Sequence, residues 1–111
     1  MKLETAGRIH SDNVTEDELI NAFADDYGRA EFIILSQANG DLMQAAGDED
    51  DPTYALEYSE EDDGIHRFQC ARDLTKAEVE AAFLKYLKED PSWKADHEWK
   101  ELETKPWWKF W

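Results

Sequence analysis

Cysteine occurs once in the 111 residues, as Cys70, so no disulfide can form within the chain. A secreted domain of this size would more often carry paired cysteines. No stretch approaches the roughly 20 apolar residues of a membrane-spanning helix, and the opening MKLETAGRIH lacks the apolar run of a signal peptide. These absences set the expectation of a cytoplasmic protein. Basic residues are scarce in one half of the chain. Residues 14–63 hold one basic residue, Arg29, against 16 Asp and Glu, a sum of −15 that equals the net charge of the whole sequence. Residues 1–13 and 64–111 each sum to zero. Such a field repels nucleic acid and anionic lipid, and it draws in cationic partners over about a Debye length. Acid on this scale serves either as a solubility coat or as a surface for a basic protein.

Catalytic constellations are missing as well. There is no phosphate-cradling glycine loop, nucleophile elbow or HExxH motif. Cys70 and His66 share a strand face, but four residues at about 3.3 Å each hold them roughly 13 Å apart, far beyond hydrogen-bond reach. His10 and His97 lack the Cys/His spacing of a zinc site. The acidic runs Asp48–Asp51 and Glu60–Asp63 have neither the alternating ligands nor the internal glycine of a calcium loop. In a meander, moreover, they fall at opposite ends of the sheet. The expectation is a non-enzymatic protein without metal or cofactor.

What is present is enough for one folded domain. The length lies near the commonest domain size, and five Trp, four Tyr and five Phe supply a core despite the charge. Thr15 with Glu18, and Thr75 with Glu78, form capping boxes, flanked by the apolar pairs Val14/Leu19 and Leu74/Val79. Two helices follow. The first runs to about Tyr27, before Gly28, with the stripe Leu19, Ile20, Phe23 and Tyr27. The second runs to about Lys88 with Val79, Ala82, Phe83, Tyr86 and Leu87.

Between them the period changes to two. Phe32–Gln37 and Leu42–Gly47 flank Asn39-Gly40, which predicts a two-residue hairpin loop. That register sets Ile34 opposite Ala45 and Ser36 opposite Met43, so that Phe32, Ile34, Met43 and Ala45 share one face. Both faces of this hairpin are apolar, and one needs a cover. Tyr54–Ser59 and Ile65–Cys70 read as third and fourth strands. The predicted fold class is α+β, ordered α-β-β-β-β-α, with a four-stranded antiparallel meander and two helices. A single domain spans 1–103, and an aromatic C-terminal segment spans 104–111. The pattern of residues 90–103 does not decide between helix and strand.

The segment Lys105-Pro106-Trp107-Trp108-Lys109-Phe110-Trp111 is the most unusual local feature. Three readings stay open for it: cover for the apolar sheet face, a partner or self-association site, and a membrane-interface segment. A wider string has a familiar cast: Phe32-Ile33-Ile34-Leu35, Met43-Gln44-Ala45-Ala46-Gly47, Leu56-Glu57-Tyr58, Ala82-Phe83, Tyr86-Leu87, Asp90, Trp93 and Glu98-Trp99. It resembles small acidic bacterial cytosolic proteins, some of which are like the immunity proteins of toxin systems. The resemblance implies a compact α+β binding protein and transfers no functional residue. The candidate partner-binding residues are Glu16, Asp17, Glu18, Asp48, Asp50, Asp51, Trp107 and Trp108. The partner expected is another protein with a basic surface, with a homodimer through the second sheet face as the alternative.

Overall fold

A computed structural model describes residues 1–5, 8–24, 32–48, 51–61 and 65–102. Its elements are β1 (Lys2–Thr5), β2 (Arg8–Ser11), α1 (Glu16–Ala24), β3 (Phe32–Ser36), β4 (Leu42–Asp48), β5 (Asp51–Glu61), β6 (Ile65–Cys70), β7 (Leu74–Thr75), α2 (Lys76–Leu87), α3 (Ser92–Ala95) and β8 (Trp99–Leu102). The fold is α+β with one antiparallel sheet ordered β2-β1-β3-β4-β5-β6-β8, and β7 pairs with β5 off this path. The central four strands form the expected meander. The simpler α-β-β-β-β-α order is corrected: two strands precede α1, a two-residue strand leads into α2, and α3 and β8 follow it. The 103/104 boundary and the helix end at Tyr27-Gly28 lie outside the described residues.

Both helices start as their capping boxes dictate. The Thr15 hydroxyl accepts from the Glu18 N–H at 3.2 Å, and the Glu18 carboxylate accepts from the Thr15 N–H at 3.1 Å. Thr75 and Glu78 repeat the arrangement at α2. Each such cap satisfies two backbone donors that a helix start leaves orphaned. Val14, Leu19, Leu74 and Val79 are all buried. Ile20 departs from its expected place on the α1 stripe and is 37% exposed. The α1 start and α2 end meet through Glu16 and Lys88 (3.1 Å), and Phe23 packs edge-on against Phe83, so the two helices run in opposite directions.

The β3–β4 hairpin differs from expectation by one residue. Its loop contains three residues, not two. The Gly40 N–H donates to the Gln37 carbonyl (3.1 Å), the Gln37 N–H donates to the Asp41 carbonyl (2.8 Å), and Gly40 has φ 99°. A turn followed by a left-handed glycine is the usual three-residue loop. Asn39 reinforces it, its side-chain oxygen accepting from the Asp41 N–H at 2.9 Å. Ser36 therefore pairs with Leu42, Leu35 with Met43 and Ile33 with Ala45. A one-residue slip exchanges the partners on each face. Ile33, Leu35, Met43 and Ala45, not Phe32 and Ile34, form the inner face, each 1% exposed or less.

Across five strands the inner row runs Leu3, Leu35, Met43, Tyr58 and Phe68. It joins Leu19, Phe23, Val79 and Phe83 in one core. The outer face carries Phe32 at 39% exposure, beside Ala46 and Ala55. Farther along, Gln44 hydrogen-bonds Glu57, which also meets Arg67 at 3.2 Å. Among the described residues, no helix is long and apolar enough to cross a membrane.

Candidate functional site

The end of α2 begins the site. Its closing turn is a Schellman motif, in which the Glu89 N–H donates to the Tyr86 carbonyl (3.1 Å) and the Asp90 N–H to the Lys85 carbonyl (2.9 Å). The residue that must turn left-handed is Glu89, at φ 59°. Glycine is usual there, and a side chain in this region costs of order 1 kcal/mol or more. Asp90 then accepts from the Ser92 N–H at 3.0 Å, starting α3, which places Trp93 and Lys94.

Trp93 closes an aromatic wall. It meets Tyr58 edge-on at 4.8 Å, Tyr86 at 5.4 Å and Trp99 at 5.7 Å. Tyr58 stacks on Phe68 at 4.8 Å. The indole N–H of Trp99 donates to the Lys94 carbonyl at 2.9 Å, tying β8 to α3.

Against this wall lies a cavity of about 310 Å³, lined by Gln37 and Asp41 from the hairpin loop, Tyr58 to Glu60 from β5, Tyr86 and Glu89 from α2, and Pro91, Trp93 and Lys94. That volume is at the small end of ligand sites, suited to a side chain rather than a large cofactor. Its charged lining is three carboxylates and one ammonium. The Lys94 ammonium pairs with Glu60 and stands 5.2 Å from the Tyr58 ring centre and 5.4 Å from that of Trp93. Both lie within cation–π range.

Tyr86 is 5% exposed, and its hydroxyl has no hydrogen-bond partner among the described residues. Burial pushes its pKa up to about 12; the Gln37 amide opposes that rise but falls short of hydrogen-bond geometry. Tyr58 is also shifted upward, first by burial and then by Glu60 and Glu101. Buried polar groups are seldom left unpaired, and those that are call for an explanation.

The sequence-selected acids fall in different places. Glu16, Asp17 and Glu18 form the exposed first turn of α1. Glu18 is committed to the cap and Glu16 to Lys88, one residue before the cavity's Glu89. The first turn of α1 thus lies at the cavity end of the helix pair. Asp48 and Asp51 pair across β4 and β5, at the opposite end of β5 from Glu60. Asp50, Trp107 and Trp108 lie outside the described residues. Cys70 is buried, opposite Trp99, with His66 at the other end of β6. Among the described residues no group of three or more His, Cys, Asp and Glu side chains is arranged to hold a metal ion.

Tyr86, Glu89, Trp93 and Lys94 were not singled out from sequence as binding residues. They line one cavity with Gln37, Asp41 and Glu60, more than 25 positions away, and no local spacing announces that grouping. The one available signal was the Glu60–Asp63 run beside the alternating Tyr58. No protein-family model, curated protein or solved structure matches this chain.

Proposed function

We propose that this chain is a non-enzymatic binding domain that captures a basic side chain of another protein through the cavity between β5, α2 and α3. An immunity-type inhibitor of a cationic effector, acting in the cytoplasm, is the form of that function which fits best. The observation that carries the reading is the cavity's composition: Asp41, Glu60 and Glu89 at the rim, with Tyr58 and Trp93 as walls. The excess acid of residues 14–63 supports it, because a charged field raises the encounter rate with an oppositely charged partner while buried aromatics anchor the contact. A homo-oligomeric module is the second reading. It is favoured by the exposed Phe32 beside Ala46 and Ala55 on the outer sheet face.

The test is capture from extract on immobilised wild type and on a Glu60→Lys/Glu89→Lys variant, followed by purification of whatever differs. The reading predicts a basic protein that salt elutes and that the variant fails to retain. Equal retention by both supports excludes the cavity. A concentration-dependent dimer abolished by Phe32→Asp, with no basic protein captured, favours the second reading.

A further inference from the structure

Lys94 is the feature that the binding reading leaves unexplained. A cavity meant for a partner's cation already holds one, supplied by the chain itself. Its ammonium is paired with Glu60 and faces both aromatic rings. The Lys94 and Glu60 side chains are 44% and 38% exposed, so the pair is largely hydrated, and ion pairs of that kind are weak. Exchange for another cation is therefore inexpensive. Tyr86 lines the same cavity, and its hydroxyl is buried with no hydrogen-bond partner among the described residues. Lys94 thus occupies the site without completing it.

We propose that Lys94 is an internal stand-in for the ligand, and that a primary ammonium from a partner lysine displaces it from Glu60 and donates a hydrogen bond to the Tyr86 hydroxyl. This rests on the reading of the cavity as a receptor for a basic side chain. Lys94 is a competitor in the free protein. Its removal strengthens capture, unlike removal of a residue that contacts the partner. Lysine suits the site better than arginine because the present occupant is a compact ammonium, and the planar guanidinium fork prefers a paired carboxylate.

The experiment needs no partner protein. n-Butylammonium is titrated into the full chain by two-dimensional NMR, following the indole N–H of Trp93 in wild type, Lys94→Ala, Lys94→Met and Lys94→Ala/Tyr86→Phe. Lys94→Ala should bind saturably and about fivefold more tightly than wild type. Lys94→Met keeps the alkyl stem over the rings while removing the charge, so it should bind no better than wild type. The double variant should lose about fivefold relative to Lys94→Ala. Equal binding by Lys94→Ala and Lys94→Met would mean that net charge alone matters, and would overturn the proposal, as would shifts that never saturate in Lys94→Ala. An unchanged affinity in the double variant would remove Tyr86 from the site and overturn the hydrogen bond. If Lys94→Ala binds as expected but no basic protein is captured from extract, the cation cage stands and the partner reading falls.

Discussion

Replacing Tyr86 with Phe removes one atom, and its effect should be the reverse of an ordinary core mutation. The ring packs against Trp93 at 5.4 Å and is 5% exposed, and Phe preserves that contact. Only the hydroxyl is lost, and it has no partner among the described residues. A buried polar group left unsatisfied costs about 1–3 kcal/mol, so Tyr86→Phe should leave stability unchanged or raise it by about 1 kcal/mol. On a chain of this size that corresponds to about 4 °C in Tm. Alkaline pH sharpens the contrast. Burial raises the folded-state pKa from 10.0 to about 12. Below pH 10 the hydroxyl is neutral in both folded and unfolded chains and there is no ionisation penalty; between pH 10 and 12 the unfolded chain ionises first, and folding stability falls. At roughly 1.4 kcal/mol per unit, the wild type should lose on the order of 2–3 kcal/mol over that window that Tyr86→Phe does not lose. Urea melts followed by tryptophan fluorescence at pH 7 and pH 12 measure both effects. Destabilisation by 1 kcal/mol or more at pH 7 would refute the reasoning, because it would show the hydroxyl hydrogen-bonded, with the Gln37 amide the obvious partner.

Glu89→Gly relieves a left-handed side chain and should stabilise the fold by about 1 kcal/mol; a thermal melt that shows destabilisation would mean that the Glu89 carboxylate holds the fold together. Thr75→Ala should cost about 1 kcal/mol through loss of the α2 cap, read by urea titration. The Glu78 carboxyl is held at about 2, first by the Arg72 side chain and then by the Thr75 N–H. Its contribution is complete above pH 4.5 and lost as pH falls through 2, so Glu78→Gln should flatten acid unfolding in that window, measured by circular dichroism.

Legibility from sequence followed the range of the interactions. The caps at Thr15 and Thr75 are complete within four residues, and both were readable. The meander was readable from alternation, as in Tyr54, Leu56 and Tyr58. Its first register was not, because Asn39-Gly40 suits a two-residue loop as well as a three-residue loop closed by Gly40 alone. The choice falls to contacts such as Asn39 with Asp41, and the same register brings the Asp41 carboxylate to the Glu61 N–H at 2.8 Å. Strands β1 and β2 have four residues each and an irregular register between them, too little for a period to show. They exist because β1 pairs along β3. Residues 90–102 combine one helical turn with a four-residue strand, which explains why neither period prevailed. The cavity was the least legible feature. Acidic runs advertise themselves in a sequence, whereas a site made from single residues of separate elements does not.

The central claim is that the rim of this cavity meets a basic partner. Its most direct test is the stopped-flow association rate of the captured partner at several salt concentrations, for wild type, Glu60→Lys/Glu89→Lys, and Asp48→Lys/Asp50→Lys/Asp51→Lys. The account predicts a rate that falls as salt rises, a sharp loss in the cavity variant, and a modest loss in the variant at the far end of the sheet. Association that is indifferent to salt and equal in all three proteins would contradict it.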